Sequence, residues 1–309
     1  MTDQSIRTDG DRATGLVLAT SSAASMPFGQ AVGAHAFGPL TPVGVVAIRQ
    51  LVTALVLLPV VRPRLRGMTW GQWWPVLTLG FLFVAMNLFV ALAIDRVGVA
   101  LGLTLEFLGP LSVALAGSRT RRDLVCAAAA GLGVYVLILP DGDRDLLGIA
   151  AGVAGAACWA SYILLNRTVG RRLAGLQATA LAASFATILC LPVFAWLVQT
   201  GRFTGIPLLL ACVAGVLSSI VPYVADLLAL RRVTAQQFAV TMSLNPLFAA
   251  TAGVLVLNET TERHEWVGII IIILVNVVTA RTARQHRRFS TATGSHAAAD
   301  AGRICQTTR

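Results

Sequence analysis

Apolar blocks about as long as a bilayer is thick, separated by short polar connections, run along the chain from residue 16 to residue 281. A helix needs about 20 consecutive apolar residues to cross the hydrocarbon core. Measured with that length, the chain divides into ten segments: 16–34, 41–61, 74–94, 97–117, 124–140, 147–166, 176–198, 207–230, 233–257 and 265–281. The pattern predicts an all-α, polytopic membrane protein with ten transmembrane helices. Residues 1–15 form a polar N-terminal tail in which Asp3, Asp9 and Asp11 stand beside Arg7 and Arg12. A cleavable signal would open on a positive stretch, so the first block is expected to be retained. Residues 282–309 are basic and rich in Ser, Thr, Ala and Gly, the composition of a disordered cytoplasmic tail.

Charge orients these segments. With the N-terminus inside, the inner connections hold Arg62, Arg64, Arg66, Arg119, Arg121, Arg122, Arg167, Arg171, Arg172, Arg231 and Arg232, and the basic tail joins them. The outer connections keep only Arg96, Arg144, Arg202 and Arg263, among Asp95, Asp141, Asp143, Asp145, Glu259, Glu262 and Glu265. Basic residues near span ends stay cytoplasmic, so both termini are expected inside, in a cell inner (plasma) membrane. Hydrophobic residues make up 56% of the chain and charged residues 12%, too few to cover a water-soluble surface. The net charge of +10 comes in short bunches between apolar blocks, which argues for membrane orientation and against a nucleic-acid partner. The five cysteines are scattered without metal-ligand spacing, so no metal, cofactor or disulfide framework is expected. No phosphate-binding loop, HExxH or GxSxG is present, so an enzyme is not expected.

The second half echoes the first. "LAIDRVGVALGLTLEFLGPLSVALAG" and "LALRRVTAQQFAVTMSLNPLFAATAG" align at a constant offset of 136 residues, Arg96 with Arg232 and Pro110 with Pro246. Asp123 and Glu259 keep the same register. Five spans per half is an odd number, so residues 16–140 and 147–281 are expected to be two inverted five-helix repeats. Inverted repeats are an architecture of secondary transporters, with substrate bound near midplane between the halves.

Three ionisable residues fall well inside the segments: Arg49, Glu106 and Asp226. Each is costly at the bilayer centre, about 2.5–3.5 kcal/mol on insertion scales, so each is expected to face the interior or a wet cavity. They form either a structural ion pair or a binding site in which one acid takes a substrate or a proton. Pro110 cannot donate a backbone hydrogen bond to the carbonyl of Glu106, and Pro246 cannot donate to that of Met242, near Asn245. Both prolines are expected to kink their helices and open polar notches. The pairs Gly29–Gly33, Gly98–Gly102 and Gly148–Gly152 allow close helix approach, within one chain or between two, so monomer and homodimer both stay open. Trp70, Trp73 and Trp74 fit an interfacial aromatic belt.

The pieces "VAIRQLVTAL", "LTLEFLGPL", "GAACWASYILLN", "VPYVADLLALRRV" and "TMSLNPLFAATAGVLVLNE", in that order, resemble the EamA-type members of the drug/metabolite transporter superfamily. Their likeness is greatest to the threonine/homoserine exporter subgroup and extends over residues 14–282. The resemblance implies a plasma-membrane exporter driven by an ion gradient, with protons the expected coupling ion and small amino acids or related metabolites the expected cargo. By position it implies that Arg49, Glu106, Tyr223 and Asp226 line a central cavity. Where such exporters often carry an acid before the ninth-span proline, this chain has Asn245, a hydrogen-bonding group without the charge. An importer or exchanger of drugs or metabolites, and a membrane scaffold without cargo, are the alternative readings.

Overall fold

The computed structural model describes residues 9–63, 67–116, 121–137, 145–169, 177–203, 205–260 and 262–278, and every regular element among them is helical. The expected disordered tail and the stretch around Asp141 and Asp143 lie outside the described residues. The helices are α1 (Asp9–Ala34), α2 (Phe37–Val61), α3 (Trp70–Glu106), α4 (Leu108–Ala116), α5 (Arg121–Leu137) and α6 (Leu146–Val169). They continue with α7 (Gln177–Leu189), α8 (Leu191–Gln199) and α9 (Gly205–Gly215), a π-helical turn (Val216–Ile220), α10 (Val221–Leu230), α11 (Ala235–Met242), α12 (Asn245–Leu257) and α13 (263–278).

Five stretches are long and apolar enough to cross a membrane, and a sixth if α7 and α8, bent by 47°, count as one crossing. One of the five, Trp70–Val113, runs for 44 residues. That is about twice what one crossing needs. Large apolar side chains such as Val60, Phe81, Ile206 and Leu255 point outward, as hydrocarbon allows and water does not. This is a multi-pass membrane protein.

The expected segments are interrupted more often than their hydropathy suggests, and the interruptions have a common cause. A proline removes one backbone donor and disfavours helix in the residue before it. α2 breaks at Thr41, before Pro42; α3 gives way to α4 at Phe107, before Pro110. α7 and α8 part at Cys190, before Pro192; the π turn precedes Pro222; and α11 and α12 part at Ser243–Leu244, before Pro246. Pro110 and Pro246 both end up in the first turn of the following helix, where no backbone donor is required. Proline does not always break a helix, since Pro27 and Pro59 lie inside α1 and α2.

The break at Gly98 is different. Its φ of 84° and ψ of 167° belong to a region that glycine alone visits readily. The helix that restarts after it is capped from far along the chain. The carboxylate of Glu259 accepts from the backbone N–H of Val99 at 2.7 Å and of Ala100 at 3.4 Å. Glu259 is itself fixed by its backbone N–H to the carbonyl of Gly253 at 3.0 Å. Beside it, Asp145 caps α6 by accepting from Leu147 and Gly148, and it is bridged by Arg96 Nη1 at 2.5 Å. That Arg96 hydrogen bond, with those from Gly148 and Leu147, holds the Asp145 carboxyl below the usual aspartate range.

The packing crosses between halves of the chain. α1 lies against α9, the π turn, α10, α11 and α12, while α6 lies against α3 and α4, and α2 against α7. Glycines permit the closest of these contacts. A Cβ on Gly29 would meet Ser218 N at 2.6 Å, and one on Gly152 would meet Leu105 Cδ1 at 2.8 Å. Gly29 and Gly33, and Gly148 and Gly152, thus serve helix packing within the chain, whereas Gly98 breaks its own helix.

Removing the Glu259 cap by Glu259→Ala is expected to destabilise the protein by about 0.5–2 kcal/mol, read as a lower melting temperature in detergent. Gly98→Ala would place a Cβ 3.0 Å from Glu259 Oε1 and is expected to act on the same contact, so the two losses should be less than additive. The Arg96–Asp145 bridge has its own pH signature. Because the folded-state pKa is depressed, its contribution is present above the ordinary aspartate pKa and is lost as pH falls through the lowered one. The melting-temperature gap between wild type and Asp145→Asn is therefore expected to close under acid.

Candidate transport site

The buried polar groups of the bundle gather around Arg49. This residue sits mid-way along α2 with 4% of its surface exposed, and its guanidinium Nη1 donates to Gln30 Oε1 on α1 at 2.5 Å. Among the described residues that is the guanidinium's one hydrogen bond; Nε has no partner there. Arg49 interacts electrostatically with Tyr223 on α10 and with Glu106 at the end of α3. Tyr223 in turn interacts with Tyr162 on α6 and with Asp226, one turn further along α10. The sequence-derived candidates Arg49, Glu106, Tyr223 and Asp226 are thus brought into one neighbourhood, from three different helices.

No ion pair joins Arg49 to either acid among the described residues. Glu106 is 2% exposed and its Oε2 has no hydrogen-bond partner; Asp226 Oδ1 has none either. The Ser22 hydroxyl on α1 neighbours the Asp226 carboxyl. Buried polar groups are nearly always satisfied, so these atoms stand apart from the rest of the bundle.

Local structure explains the positions. Glu106 is the last residue of α3 because the helix stops at Phe107, where the Phe107 ring meets Trp159 edge-on at 5.0 Å. α4 restarts against α6 so closely that a Cβ on Gly109 would lie 2.4 Å from the carbonyl oxygen of Ala156. On the other side, the π turn inserts one residue before α10 and so rotates the face that carries Tyr223 and Asp226. Ser25 on α1 donates to the carbonyl of Leu217 in that turn at 2.6 Å.

Asn245 begins α12, is 3% exposed, and directs its amide nitrogen to Met242 Sδ at 3.6 Å, leaving Oδ1 without a partner. Among the described residues no hydrogen bond ties it to the Arg49 neighbourhood. Pro110 and Pro246 sit at helix restarts, as described above. Gln30, Ser22 and Tyr162 were not among the sequence-derived candidates. An amide and a hydroxyl in an apolar block carry no pattern, and Tyr162 stood out only as part of a quoted segment. Among the described residues no cluster of His, Cys, Asp and Glu could hold a metal ion.

A broken-helix bundle with unpaired charges at its centre is the make-up of a membrane transporter, and comparison with known proteins agrees. Residues 146–281 match the model of the EamA-like transporter family. The chain is similar to the threonine/homoserine exporter RhtA of Escherichia coli K12, 31% identical over 281 residues that cover 88% of this chain and 93% of that protein. It is similar also to RhtA of Salmonella typhimurium LT2, 32% identical over 249 residues, 78% of this chain and 83% of that one. The chain belongs to the EamA-like transporter family. A solved crystal structure covers 91% of this chain and 98% of its own with a TM-score of 0.56 at 17% identity, a likeness of fold alone.

Glu106 Oε2 has no hydrogen-bond partner among the described residues, so Glu106→Gln is expected to leave stability intact or raise it. The check is the melting temperature of the detergent-purified variant against wild type. A fall of several degrees would show that the carboxyl group holds the fold together.

Proposed function

We propose that this protein is a secondary active exporter of small amino acids, of the threonine and homoserine kind, or of closely related metabolites, driven by the proton gradient across the inner membrane. The observation that carries this reading is the buried Glu106, whose Oε2 has no hydrogen-bond partner among the described residues, beside an Arg49 that is ion-paired to no acid among them. An α-amino acid presents one carboxylate and one ammonium group. Arg49 supplies the donor for the first, and Glu106 and Asp226 supply acceptors for the second or for the exchanged proton. Tyr223 and Asn245 add neutral hydrogen-bonding groups at the edges. The relatives named as threonine/homoserine exporters support both cargo class and direction.

The architecture in this reading is ten spans in two inverted repeats, 16–140 and 147–281, with both termini cytoplasmic. Three observations support it. The breaks recur at the same offset of 136 residues, with α3 ending at Glu106 and α11 at Met242. The crossed packing of α1 and α6 is what an approximate two-fold relation would produce. The matched family model begins at residue 146, where the second repeat is placed. In the same arrangement, Gly98, Asp145 and Glu259 share the outer rim.

Export is testable in inside-out vesicles, where outward transport becomes uptake. Wild-type vesicles are expected to accumulate labelled L-threonine when an inward-acid gradient is imposed, and to stop when it is collapsed. Glu106→Gln and Asp226→Asn are expected to lower gradient-driven uptake at least tenfold, a loss of about 1.4 kcal/mol or more. Unchanged uptake in both variants would exclude these acids from the mechanism.

A further inference from the structure

The partner that fixes Arg49 is neutral, and that choice has a functional meaning. A buried guanidinium is ordinarily matched with a carboxylate, which holds its position and cancels its charge together. Here the position is held by the amide oxygen of Gln30, at 2.5 Å from Nη1 and itself only 5% exposed. Among the described residues no carboxylate is hydrogen-bonded or ion-paired to it, Glu106 acting only through its field. With Nη1 occupied, the remaining edge of the guanidinium runs through Nε, which is buried and without a partner among the described residues. An arginine edge of two parallel N–H donors is the complement of a carboxylate.

We propose that Gln30 is a positioning residue for carboxylate recognition: it locks the Arg49 guanidinium through one nitrogen so that the free edge faces a substrate carboxylate with its charge unspent. α1 is suited to hold it still. Gly29, the neighbour of Gln30, is pressed against Ser218 so closely that a Cβ would lie 2.6 Å from its backbone nitrogen, and Ser25 is bonded to Leu217. The anchor of the guanidinium is thereby fixed to the π turn that leads into Tyr223 and Asp226. The inference rests on the amino-acid reading above, and it assigns a role that reading does not need.

The test compares two probes in proteoliposomes holding the full chain: L-threonine, and threoninol, which keeps the ammonium and hydroxyl groups but has no carboxylate. Gln30→Met is expected to raise the KM for threonine about tenfold to a hundredfold, the loss of one hydrogen bond to a charged group, and to leave that for threoninol within about twofold. Gln30→Glu keeps the shape and the bond but cancels the charge, and is expected to lose the preference for threonine in the same way. It also carries the test if the Met variant does not fold. Adding Gln30→Met to Arg49→Gln is expected to change the preference no further. Equal losses for both probes, or wild-type preference in both Gln30 variants while Arg49→Gln abolishes it, overturn the role of Gln30 and leave the amino-acid reading standing. If Arg49→Gln itself leaves the preference unchanged, or the wild type carries no threonine, the reading beneath falls and the inference with it.

Discussion

Hydrocarbon offers no hydrogen bonds, so every polar group released by an interruption of a membrane helix must be satisfied by the protein itself. The bundle obeys this constraint wherever it merely needs to hold together. Glu259 serves the amides after Gly98, Asp145 serves the start of α6, and Ser25 serves the carbonyl of Leu217. Against that background the groups left unserved are informative. Arg49 Nε, Glu106 Oε2, Asp226 Oδ1 and Asn245 Oδ1 are buried without hydrogen-bond partners among the described residues. Glu106 ends one helix and Asn245 begins another, so two of the four sit at interruptions. The breaks make room for polar groups, and the bundle declines to fill that room.

Much of this was legible in advance, and the reason is chemical. Glycine and proline alter the backbone wherever they occur, so Gly98, Pro110 and Pro246 announced themselves. Charges in apolar blocks are rare enough that Arg49, Glu106 and Asp226 could be picked out singly. What holds them could not. Gln30 and Ser22 are neutral, occur anywhere, and gain meaning only when α1 is laid against Arg49 of α2 and Asp226 of the distant half. The π turn has no sequence signature beyond Pro222, and hydropathy read the region as one unbroken segment. Glu259 was read as part of an acidic outer connection, because a cap reaching across 160 residues leaves no local trace.

The glycines show the same division. Their spacing correctly indicated close helix approach but not its partner. Gly29 and Gly33 meet the π turn and Ala214, and Gly148 and Gly152 meet Val97 and Leu105, contacts that join remote parts of one chain. Small residues here act as fittings for the crossed packing of α1 and α6, which in turn brings the polar face of α1 to the centre.

That crossed packing bears on how the protein is made. α1 ends at Ala34, and the first of its main partners, α9, begins only at Gly205. At ordinary rates of synthesis the ribosome needs roughly 10–30 s to cover that interval. Throughout it, Ser22 and Ser25 stand in the lipid, or beside the insertion machinery, without the Asp226 and Leu217 that will later satisfy them. The nascent chain must therefore shelter its first helix until the last third of the polypeptide arrives, and a chain cut short before α9 would present a polar stripe to the membrane.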